Sequence, residues 1–419
     1  MKFATVVMNS SRMRVLSRLS LIKMLLVSAL TMVVYTTSGE AIEEMAAAPG
    51  VYNDRIVFGQ SAALSGPAGE LGKGIQTGIL SAFKEVNKNG GIDGRRMELL
   101  SLDDSYEPEA AILNTHRLIG DKVFALIGAV GTPTSKSAVP ITEKYDVPYI
   151  APMTGAEFLR DNELQTVINL RASYYQETEE MIERLTVDLG INRIAILYQD
   201  DSFGRAGLQG VLLALEKRGL STVGMGTFPR NTIAVKTALF DLRSTRAEAV
   251  IIVGPYKPTA TFIRWARHIG MNSVFMTLSF VGSNALANEL GNQGTGVVVT
   301  QVVPFPTDDT IPASASYRAA LNEYDPDSKP GFISFEGYLA GRLAIYVVKQ
   351  CGKEVDRSCI DRVLRTGRRI DLEGFTLRYG KNDNQGSDRV FLTIIDTDGQ
   401  YVPIKSLTSG KIMTKLSAR

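Results

Sequence analysis

VFALIGAVGTPTSKSAVPITEKYDVPYIA, residues 123–151, carries the pattern on which the fold prediction depends. An apolar run from Val123 to Ile127 leads into a turn of small residues and then into an amphipathic segment from Pro133 to Tyr145. A second apolar run, Pro148 to Ala151, follows directly. Two short apolar runs separated by a helical pattern are typical of a βαβ unit with parallel strands. The segment therefore predicts part of a parallel sheet that is covered by helices.

The same alternation recurs on both sides of this segment. Before it, the pattern predicts strands Arg55–Gln60 and Met97–Leu102, each followed by a helix. After a polar, aromatic stretch from Arg171 to Thr178, a second series of strands is predicted: Arg193–Tyr198, Ser221–Met225, Ala249–Val253 and Val274–Thr277. Two series of this size predict an α/β protein of two doubly wound parallel-sheet lobes.

The C-terminal part has a different pattern. Helices are predicted around Ala313–Tyr324 and Ser334–Lys349, followed by hairpin-like strands Asp371–Tyr379 and Arg389–Ile395. The run Thr397-Asp398-Gly399 is typical of the turn that would follow the last of these strands. We expect these late elements to dock onto the two lobes already begun.

Residues 1–48 form a region unlike the rest of the chain. Basic residues precede an apolar stretch from Met24 to Tyr35, and these are Lys2, Arg12, Arg14, Arg18 and Lys23. Small residues follow, so the order is typical of a secretory signal peptide, with Ala41 and Ala46–Ala48 as candidate cleavage neighbourhoods. A membrane anchor is the alternative, but twelve uncharged residues are fewer than the roughly 20 that span a bilayer. No cysteine lies near this region to support a lipid-anchored form.

Composition excludes some partners. The 419 residues are 44% hydrophobic, which is enough to bury more than one core. The 46 basic and 44 acidic side chains leave a net charge of only +2. Because no large excess of cations is present to neutralise phosphates, nucleic acid is not expected as a partner.

The two cysteines, Cys351 and Cys359, lie eight positions apart. Export favours a disulfide between them, and two buried free thiols are the alternative. The only histidines are His116 and His268, so a zinc site fails on ligand count. No metal and no cofactor is predicted.

Motifs for catalysis are absent from the sequence. The glycines after the first predicted strand do not have the Gly-x-Gly-x-x-Gly spacing of a dinucleotide site, and these are Gly66, Gly69, Gly72 and Gly74. No Gly-x-Ser-x-Gly elbow and no phosphate-binding loop occurs. The pairs Asp103-Asp104 and Asp200-Asp201 follow strands and are interpreted as solvated turn residues, and both histidines as packing or surface residues. We therefore expect the chain not to be an enzyme.

Two strand-to-helix turns are candidates for binding an anion. In Gly128–Ser135 a strand ends in small residues, and Pro133 suits the first position of a helix. The free amides at a helix N-terminus attract an anion. The turn in Tyr149–Gly155 adds a hydroxyl next to it in the expected sheet. Ordinary helix capping by Thr132 or Thr134 is the alternative, and the residues leave both open.

Further segments carry a family resemblance that covers nearly the whole chain after residue 48. They resemble the branched-chain amino-acid-binding (Leu/Ile/Val-binding) family, the type I periplasmic solute-binding proteins of ABC transporters. The matching segments are Leu64–Pro67, Gly72, Asn89–Gly94, Asp103-Asp104, Ile127-Gly128, Val147–Pro152, Asn192–Ala195, Gln199–Gly204, Pro255-Tyr256 and Phe335–Tyr338. The resemblance implies two lobes, joined by a three-strand hinge, that close on a small ligand.

The resemblance also implies a set of ligand-binding residues. Thr132 matches a serine that binds the ligand carboxylate, and the turn at residues 153–155 matches one that also holds it. Two aromatic residues match the tyrosines with which the second lobe covers the ligand. The implied residues are Thr132, Met153, Thr154, Gly155, Phe203, Tyr256, Ser279 and Leu71.

Two of these positions depart from the family pattern, and the family's early cysteine pair is absent. Leu71 stands where the branched-chain binder has an aromatic residue, and Ser279 where an acid receives the ligand ammonium. A buried ammonium without an anionic partner is strongly disfavoured. Although Glu336 or Asp201 could supply the charge, we expect a carboxylate ligand without an α-amino group, such as an aromatic or short aliphatic acid.

The resemblance implies lobe boundaries and a function. Lobe 1 is expected to comprise residues 54–172 and 303–382, and lobe 2 residues 173–302 and 383–419. The implied function is capture of a small carboxylate-bearing ligand in the periplasm and its delivery to an ABC permease in the inner membrane. A ligand-sensing protein that acts on a receptor or regulator is the alternative.

Overall fold

The first sheet has five parallel strands in the order β2-β1-β3-β4-β5. This sheet and the rest of the fold are described by a computed structural model of the protein, which covers residues 48–408. The strands are β1 Arg55–Ala62, β2 Arg96–Asp103, β3 Leu126–Ile127, β4 Tyr149–Ile150 and β5 Val167–Ile168, and the helices between them are α1 Gly69–Lys88, α2 Pro108–Gly120 and α3 Thr132–Lys144. Strands β3 and β4 are shorter than predicted, but the predicted βαβ unit is present.

The second sheet has seven strands in the order β14-β13-β10-β9-β8-β6-β7. Its strands are β6 Ile194–Gln199, β7 Gly224–Phe228, β8 Ala249–Val253, β9 Val274–Thr277, β10 Val298–Gln301, β13 Phe391–Ile395 and β14 Tyr401–Ile404. The associated helices are α4 Tyr174–Glu183, α5 Ser202–Glu216, α6 Lys236–Ser244, α7 Tyr256–His268 and α8 Ser283–Leu290. All five residues of β8 are buried, as expected of a parallel strand with helices on both faces. Only β13 and β14 run antiparallel to their neighbours.

One predicted strand, Asp371–Tyr379, is wrong. The segment forms two strands, β11 Arg369–Leu372 and β12 Phe375–Arg378, which pair as a separate antiparallel hairpin. Glu373 and Gly374 form its turn with φ of 55° and 95°. Two successive residues of positive φ are what a tight two-residue hairpin requires.

Three late helices follow β10, and the longest of them packs on α1. They are α9 Pro312–Tyr324, α10 Phe332–Cys351 and α11 Ser358–Leu364. At Gly78 of α1, a Cβ atom would lie only 1.9 Å from the Ser334 carbonyl oxygen. At Gly337 of α10, a Cβ atom would lie 2.3 Å from the Ile75 carbonyl oxygen. Glycines on both helices therefore allow the two backbones to touch, and α10 docks on the first lobe.

The chain passes between the lobes three times, after β5, after β10 and after β12. The first and third crossings pair with each other, because Asn169 N–H donates to the Asn384 carbonyl at 2.8 Å and Gly386 N–H donates to the Asn169 carbonyl at 2.8 Å. These crossings form the three-strand hinge of the expected fold. The strands of the two sheets lie within the ranges expected for lobe 1 and lobe 2, and the exact boundaries of the lobes stay a prediction.

The two cysteines lie at the end of the α10 region. Cys351 is the last residue of α10, and it forms a disulfide with Cys359 of α11, with 5.8 Å between the Cα atoms. The predicted signal region, apart from Ala48, lies outside the described residues. None of the helices between residues 48 and 408 is long and apolar enough to cross a membrane.

Candidate functional site

The two predicted anion-binding turns lie side by side at the carboxyl ends of β3 and β4. They are joined where Met153 N–H donates to the Ala129 carbonyl at 2.7 Å and where Gly131 N–H donates to the Met153 carbonyl at 3.3 Å. This pairing places the Thr132 and Thr154 hydroxyl oxygens 2.7 Å apart. Both threonines are buried. The carboxyl edge of a parallel sheet is where open α/β proteins bind ligands.

The N-terminus of α3 has no side-chain cap. Its N-cap residue is Gly131, at φ 103°, a conformation that favours glycine. The Thr134 hydroxyl donates to the carbonyls of Val130 and Gly131, and no side chain accepts a capping hydrogen bond from an amide of this turn. Capping by Thr132 or Thr134, the alternative interpretation of this turn, does not occur. Since Pro133 has no N–H and the Ser135 amide donates to the Gly131 carbonyl, the amides of Thr132 and Thr134 are the ones that an anion at this end of the helix dipole can use.

A tyrosine hydroxyl faces the threonine pair. Tyr174 is fully buried, and its hydroxyl lies close to those of Thr154 and Thr132 but makes no well-formed hydrogen bond among residues 48–408. Burial raises its pKa, and the nearby cation Arg171 and the hydroxyls of Thr154 and Thr132 oppose part of this effect. Its ring covers the second turn, because a Cβ atom at Gly155 would lie 2.6 Å from Tyr174 Cδ1. A buried hydroxyl without a partner is costly unless a ligand satisfies it.

Phe203 joins this group from the second lobe. Phe203 is the second residue of α5, and its side chain is fully buried. Its ring centroid lies 5.5 Å from that of Tyr174 and 4.5 Å from that of Phe280. The structure thus brings together the predicted residues Thr132, Met153, Thr154, Gly155 and Phe203.

Leu71 and Tyr256 form a neighbouring group around Gly282. A Cβ atom at Gly282 would lie 2.5 Å from Leu71 Cδ2 and 3.6 Å from Tyr256 Cδ1. Burial raises the pKa of Tyr256, and a hydrogen bond from the Glu70 backbone opposes it. Leu71 and Glu70 lie in α1 of lobe 1, whereas Tyr256 and Gly282 belong to lobe 2. These predicted residues therefore meet across the cleft between the lobes.

Ser279 lies in a buried charged cluster. The Ser279 amide donates to Glu177 Oε2 at 2.8 Å, and its hydroxyl donates to Glu177 Oε1 at 2.9 Å. Thr300 Oγ1 donates to Glu177 Oε2 at 2.5 Å, and Arg171 Nη2 donates to Glu177 Oε1 at 3.3 Å. Arg171 Nη2 also contacts the Ser279 hydroxyl. The carboxylate next to Ser279 is therefore that of Glu177.

The pKa values in this cluster follow from burial and from ion pairing. Arg171 Nη1 lies 3.5 Å from Glu336 Oε1, and both side chains are almost completely buried. Burial raises the pKa of Glu336, and the attraction of Arg171 opposes this. Burial by itself would lower the pKa of Arg171, but Glu336 and Glu177 outweigh it and raise the value. Arg171 therefore carries its charge inside the protein.

Each aspartate pair that follows a strand has one buried and one exposed member. Asp103 and Asp200 are exposed, as predicted. The interpretation of Asp104 and Asp201 as solvated turn residues is wrong, because both are buried. Asp201 caps α5 by accepting from the Phe203 and Gly204 amides at 2.9 and 3.2 Å. It therefore does not supply charge to Ser279.

Both histidines are exposed, as predicted. Within residues 48–408, no group of three or more His, Cys, Asp or Glu residues is arranged to hold a metal ion.

Sequence reasoning missed five residues that contact this site or its neighbours, and these are Tyr106, Arg171, Tyr174, Glu177 and Phe280. The polar, aromatic stretch 171–178 contains Arg171, Tyr174 and Glu177, and its position between the two series of strands was the signal that the sequence offered. Tyr106 had no such signal, since it lies in the short turn between β2 and α2.

This chain is similar to known proteins of one family. Residues 55–400 match the model of a family described as periplasmic binding protein. The Leu/Ile/Val-binding protein of Escherichia coli K12 is 22% identical over 321 residues, which cover 75% of this chain and 87% of that protein.

Solved structures are also similar. A possible leucine/isoleucine/valine-binding protein from Rhodopirellula baltica is 37% identical, with a TM-score of 0.80 over 86% of this chain and 98% of that chain. A branched-chain amino acid ABC transporter structure from Thermus thermophilus with bound valine is 15% identical, with a TM-score of 0.76 over 87% and 99% of the two chains. At that identity the second likeness shows the fold alone.

Proposed function

Because this chain belongs to the periplasmic binding protein family, we propose that it captures a small carboxylate-bearing ligand between its two lobes as the solute-binding component of an ABC importer. The ligand is an amino acid or an organic or aromatic acid. The family and the relatives are binding proteins and not enzymes, in agreement with the prediction from the sequence. The activity proposed for this chain is therefore selective binding of a ligand, without a chemical reaction.

The observation that carries the proposal is the threonine pair at the uncapped end of α3. The two threonine hydroxyls, 2.7 Å apart, share one hydrogen bond, so one of them and the Tyr174 hydroxyl beside them can donate to a carboxylate. Hydrogen bonds to a charged group contribute roughly 1.5 to 3 kcal/mol each. The threonine hydroxyl that is not donating and the Tyr174 hydroxyl, near the positive end of a helix, therefore suit a monocarboxylate.

Contacts between the lobes support capture by closure. Arg230 Nη2 lies 2.6 Å from Glu107 Oε2, and Asn231 Nδ2 donates to Glu107 Oε1 at 2.7 Å. Gln199 Nε2 donates to the Tyr106 hydroxyl at 3.4 Å. A ligand that binds both lobes favours this closed arrangement, because it binds the closed form better than an open one.

Delivery is the second part of the proposal. The structural neighbour from Thermus thermophilus is described as a branched-chain amino acid ABC transporter, and the curated relatives are Leu/Ile/Val-binding proteins. By analogy, this chain acts in the periplasm and passes its ligand to a permease in the inner membrane. The predicted signal peptide supports this location.

Calorimetric titration with matched acid and amide pairs tests the capture of a carboxylate. Suitable pairs are benzoate with benzamide, isobutyrate with isobutyramide, and leucine with leucinamide. At least one acid is expected to bind, and its amide is expected to bind at least about tenfold more weakly because the charge is lost. Equal affinity within a binding pair, or no binding by any acid, would contradict the proposal.

Uptake measurements separate transport from sensing. Deletion of the gene for this chain is expected to abolish uptake of the radiolabelled acid, as deletion of the associated permease gene would. Unchanged uptake together with loss of a transcriptional response to the acid would instead favour a ligand sensor.

A further inference from the structure

Each of the two threonine-bearing turns is covered by a tyrosine ring. A Cβ atom at Gly131 would lie 2.2 Å from Tyr106 Cε2, and one at Gly155 would lie 2.6 Å from Tyr174 Cδ1. Only glycine allows a ring to approach a backbone so closely. Both tyrosines are fully buried. The carboxylate-binding position therefore lies between two aromatic side chains.

Two phenylalanines of the second lobe complete an aromatic box, defined here as Tyr106, Tyr174, Phe203 and Phe280. Ring centroids are 5.5 Å apart for Tyr174 and Phe203, 4.5 Å for Phe203 and Phe280, and 6.0 Å for Phe280 and Tyr106. The interplanar angles are 54°, 49° and 37°. These distances and tilts lie in the range that aromatic pairs prefer. When the two lobes separate, a flat aromatic ring of a ligand can enter between these side chains and pack against them.

The carboxylate beside Ser279, that of Glu177, is not available to a ligand ammonium. A carboxylate accepts about four hydrogen bonds, and Glu177 already accepts four, two at each oxygen. Its donors are Arg171, Thr300 and both the amide and the hydroxyl of Ser279. Arg171 also neutralises its charge. An ammonium at this place would have to displace at least one of these donors.

Arg171 lies between two carboxylates, those of Glu177 and Glu336. Its Nε and Nη1 atoms are buried and have no hydrogen-bond partner among the described residues, although Nη1 is ion-paired with Glu336. The guanidinium is also close enough to Tyr174 to act on its hydroxyl. Because Glu177 and Glu336 both pair with Arg171, these three side chains together carry no net positive charge.

We infer that the ligand is an aromatic carboxylate without an α-amino group, that its ring enters the aromatic box, and that Tyr106 and Glu177 are specificity-determining residues. This inference rests on the proposed capture of a carboxylate and names its chemical class. Tyr106 forms one side of the box, and Glu177 holds Ser279 and Arg171 in an arrangement that leaves its own oxygens no free capacity for an ammonium.

The position of Tyr106 is strongly determined by its turn. Ser105 and Tyr106 have φ of 49° and 64°, which few side-chain-bearing residues adopt. The Ser105 amide donates to Asp103 Oδ1 at 2.8 Å, and the Tyr106 amide donates to Asp104 Oδ1 at 2.9 Å. Such a conformation persists only where the surroundings enforce it. The ring is therefore held in place and is not a mobile surface group.

Titration of the wild-type chain with four acids tests the inference. Benzoate is compared with cyclohexanecarboxylate, which has a ring of similar size but no π system, and with leucine and phenylalanine, which carry an α-amino group. We expect benzoate to bind at least tenfold more tightly than cyclohexanecarboxylate, and neither amino acid to bind at a concentration that saturates benzoate.

Each of the following results would contradict a specific part of the inference or of the proposed function. Equal binding of benzoate and cyclohexanecarboxylate would overturn the aromatic preference while the proposed function stands. Binding of leucine or phenylalanine without benzoate would overturn the whole inference and also leave the proposed function intact. If benzamide binds as well as benzoate, the carboxylate-binding function itself is wrong.

Variants at Tyr106 test the role of that residue. Tyr106→Leu is expected to weaken benzoate binding at least tenfold, and Tyr106→Phe, which keeps the ring, to recover most of the affinity. Tyr145→Leu, at the exposed end of α3, is the matched control and should bind as the wild type does. Wild-type affinity in folded Tyr106→Leu would remove Tyr106 from the site. The four-acid titration uses the wild-type chain, so it decides the ligand class even if a variant does not fold.

Discussion

Thr132 and Thr154 are 22 positions apart in sequence, and their hydroxyl oxygens are 2.7 Å apart in the fold. This proximity arises because β3 and β4 are hydrogen-bonded neighbours and both threonines follow the same edge of the sheet. Polar residues after two adjacent parallel strands converge in this way whatever their separation in sequence. At the scale of single residues, the threonine pair is the feature on which binding depends.

Thr132→Ala is expected to weaken carboxylate binding by about tenfold or more. A hydrogen bond to a charged group contributes roughly 1.5 to 3 kcal/mol, and about 1.4 kcal/mol corresponds to a factor of ten. Calorimetric titration with the acid that binds the wild type measures the change. Thr132→Ser keeps the hydroxyl and serves as the control. Wild-type affinity in Thr132→Ala would show that the carboxylate lies elsewhere.

Asp104 is expected to make stability depend on pH. Burial raises its pKa from 3.8 to about 6, against hydrogen bonds from Ser61 and the Tyr106 amide and together with repulsion from Asp103 and Glu107. Below about pH 4 the carboxyl is protonated in both the folded and the unfolded chain. As the pH rises through about 6, the carboxyl of Asp104 ionises in the folded chain as well. The stability that its raised pKa contributes at low pH is then lost. At about 1.4 kcal/mol per pKa unit, this loss is on the order of 3 kcal/mol.

Asp104→Asn isolates this effect because an asparagine stays neutral at every pH. The free energy of unfolding of the variant, relative to that of the wild type, is expected to increase between about pH 4 and pH 6 and to be constant above pH 7. Urea unfolding at a series of pH values measures the difference. Parallel stability curves over this range would show that Asp104 does not have a raised pKa.

At the scale of secondary-structure elements, the contact between α1 and α10 depends on glycine. The Ser334 carbonyl oxygen lies where a Cβ atom of residue 78 would be, at 1.9 Å, and a backbone oxygen cannot move without displacing the helix. This contact attaches the C-terminal part of the chain to lobe 1. It also explains why the late elements dock as the sequence predicted.

Gly78→Ala is therefore expected to destabilise the protein by about 2 kcal/mol or more, although alanine is the better helix former. Gly120→Ala, at the last position of α2, meets no atom within 4 Å and is the matched control. It is expected to leave stability unchanged or to raise it by roughly 0.4 to 1 kcal/mol. Chemical unfolding compares the two variants, and equal stability of both would contradict close packing at residue 78.

At the scale of the whole molecule, ligand binding is expected to be coupled to closure of the lobes. Leu71 meets Gly282, and Glu107 meets Arg230 and Asn231, only when the lobes are together. A ligand shifts an equilibrium between open and closed forms only if it binds the closed form better. Small-angle scattering with saturating ligand should therefore give a smaller radius of gyration than without it.

Glu107→Gln provides a control for this measurement, because it weakens one contact between the lobes without touching the threonine pair. Its ligand-free radius is expected to be equal to or larger than that of the wild type, with a similar radius when ligand is bound. A radius of gyration that does not change in the wild type at saturation would count against closure.

The sequence by itself determined the α/β class, the two series of strands and the positions of most elements. Ala249–Val253 and Val274–Thr277 were predicted with the bounds that the structure has, because a run of apolar residues marks a buried parallel strand locally. The strand predicted at residues 371–379 was wrong because the turn at Glu373-Gly374 interrupts a pattern that remains apolar on both sides.

Only the tertiary structure decided the surroundings of the ligand. From the sequence, Ser279 stands where the family has an acid. The fold brings the carboxylate of Glu177, 102 positions away, to the amide and hydroxyl of Ser279, and both of its oxygens accept hydrogen bonds there. It likewise brings Tyr106 onto Gly131 and Phe280 into the aromatic box. Apolar periodicity is a local property that a chain carries in its residues, whereas contacts between side chains of distant elements depend on how the sheets and helices pack.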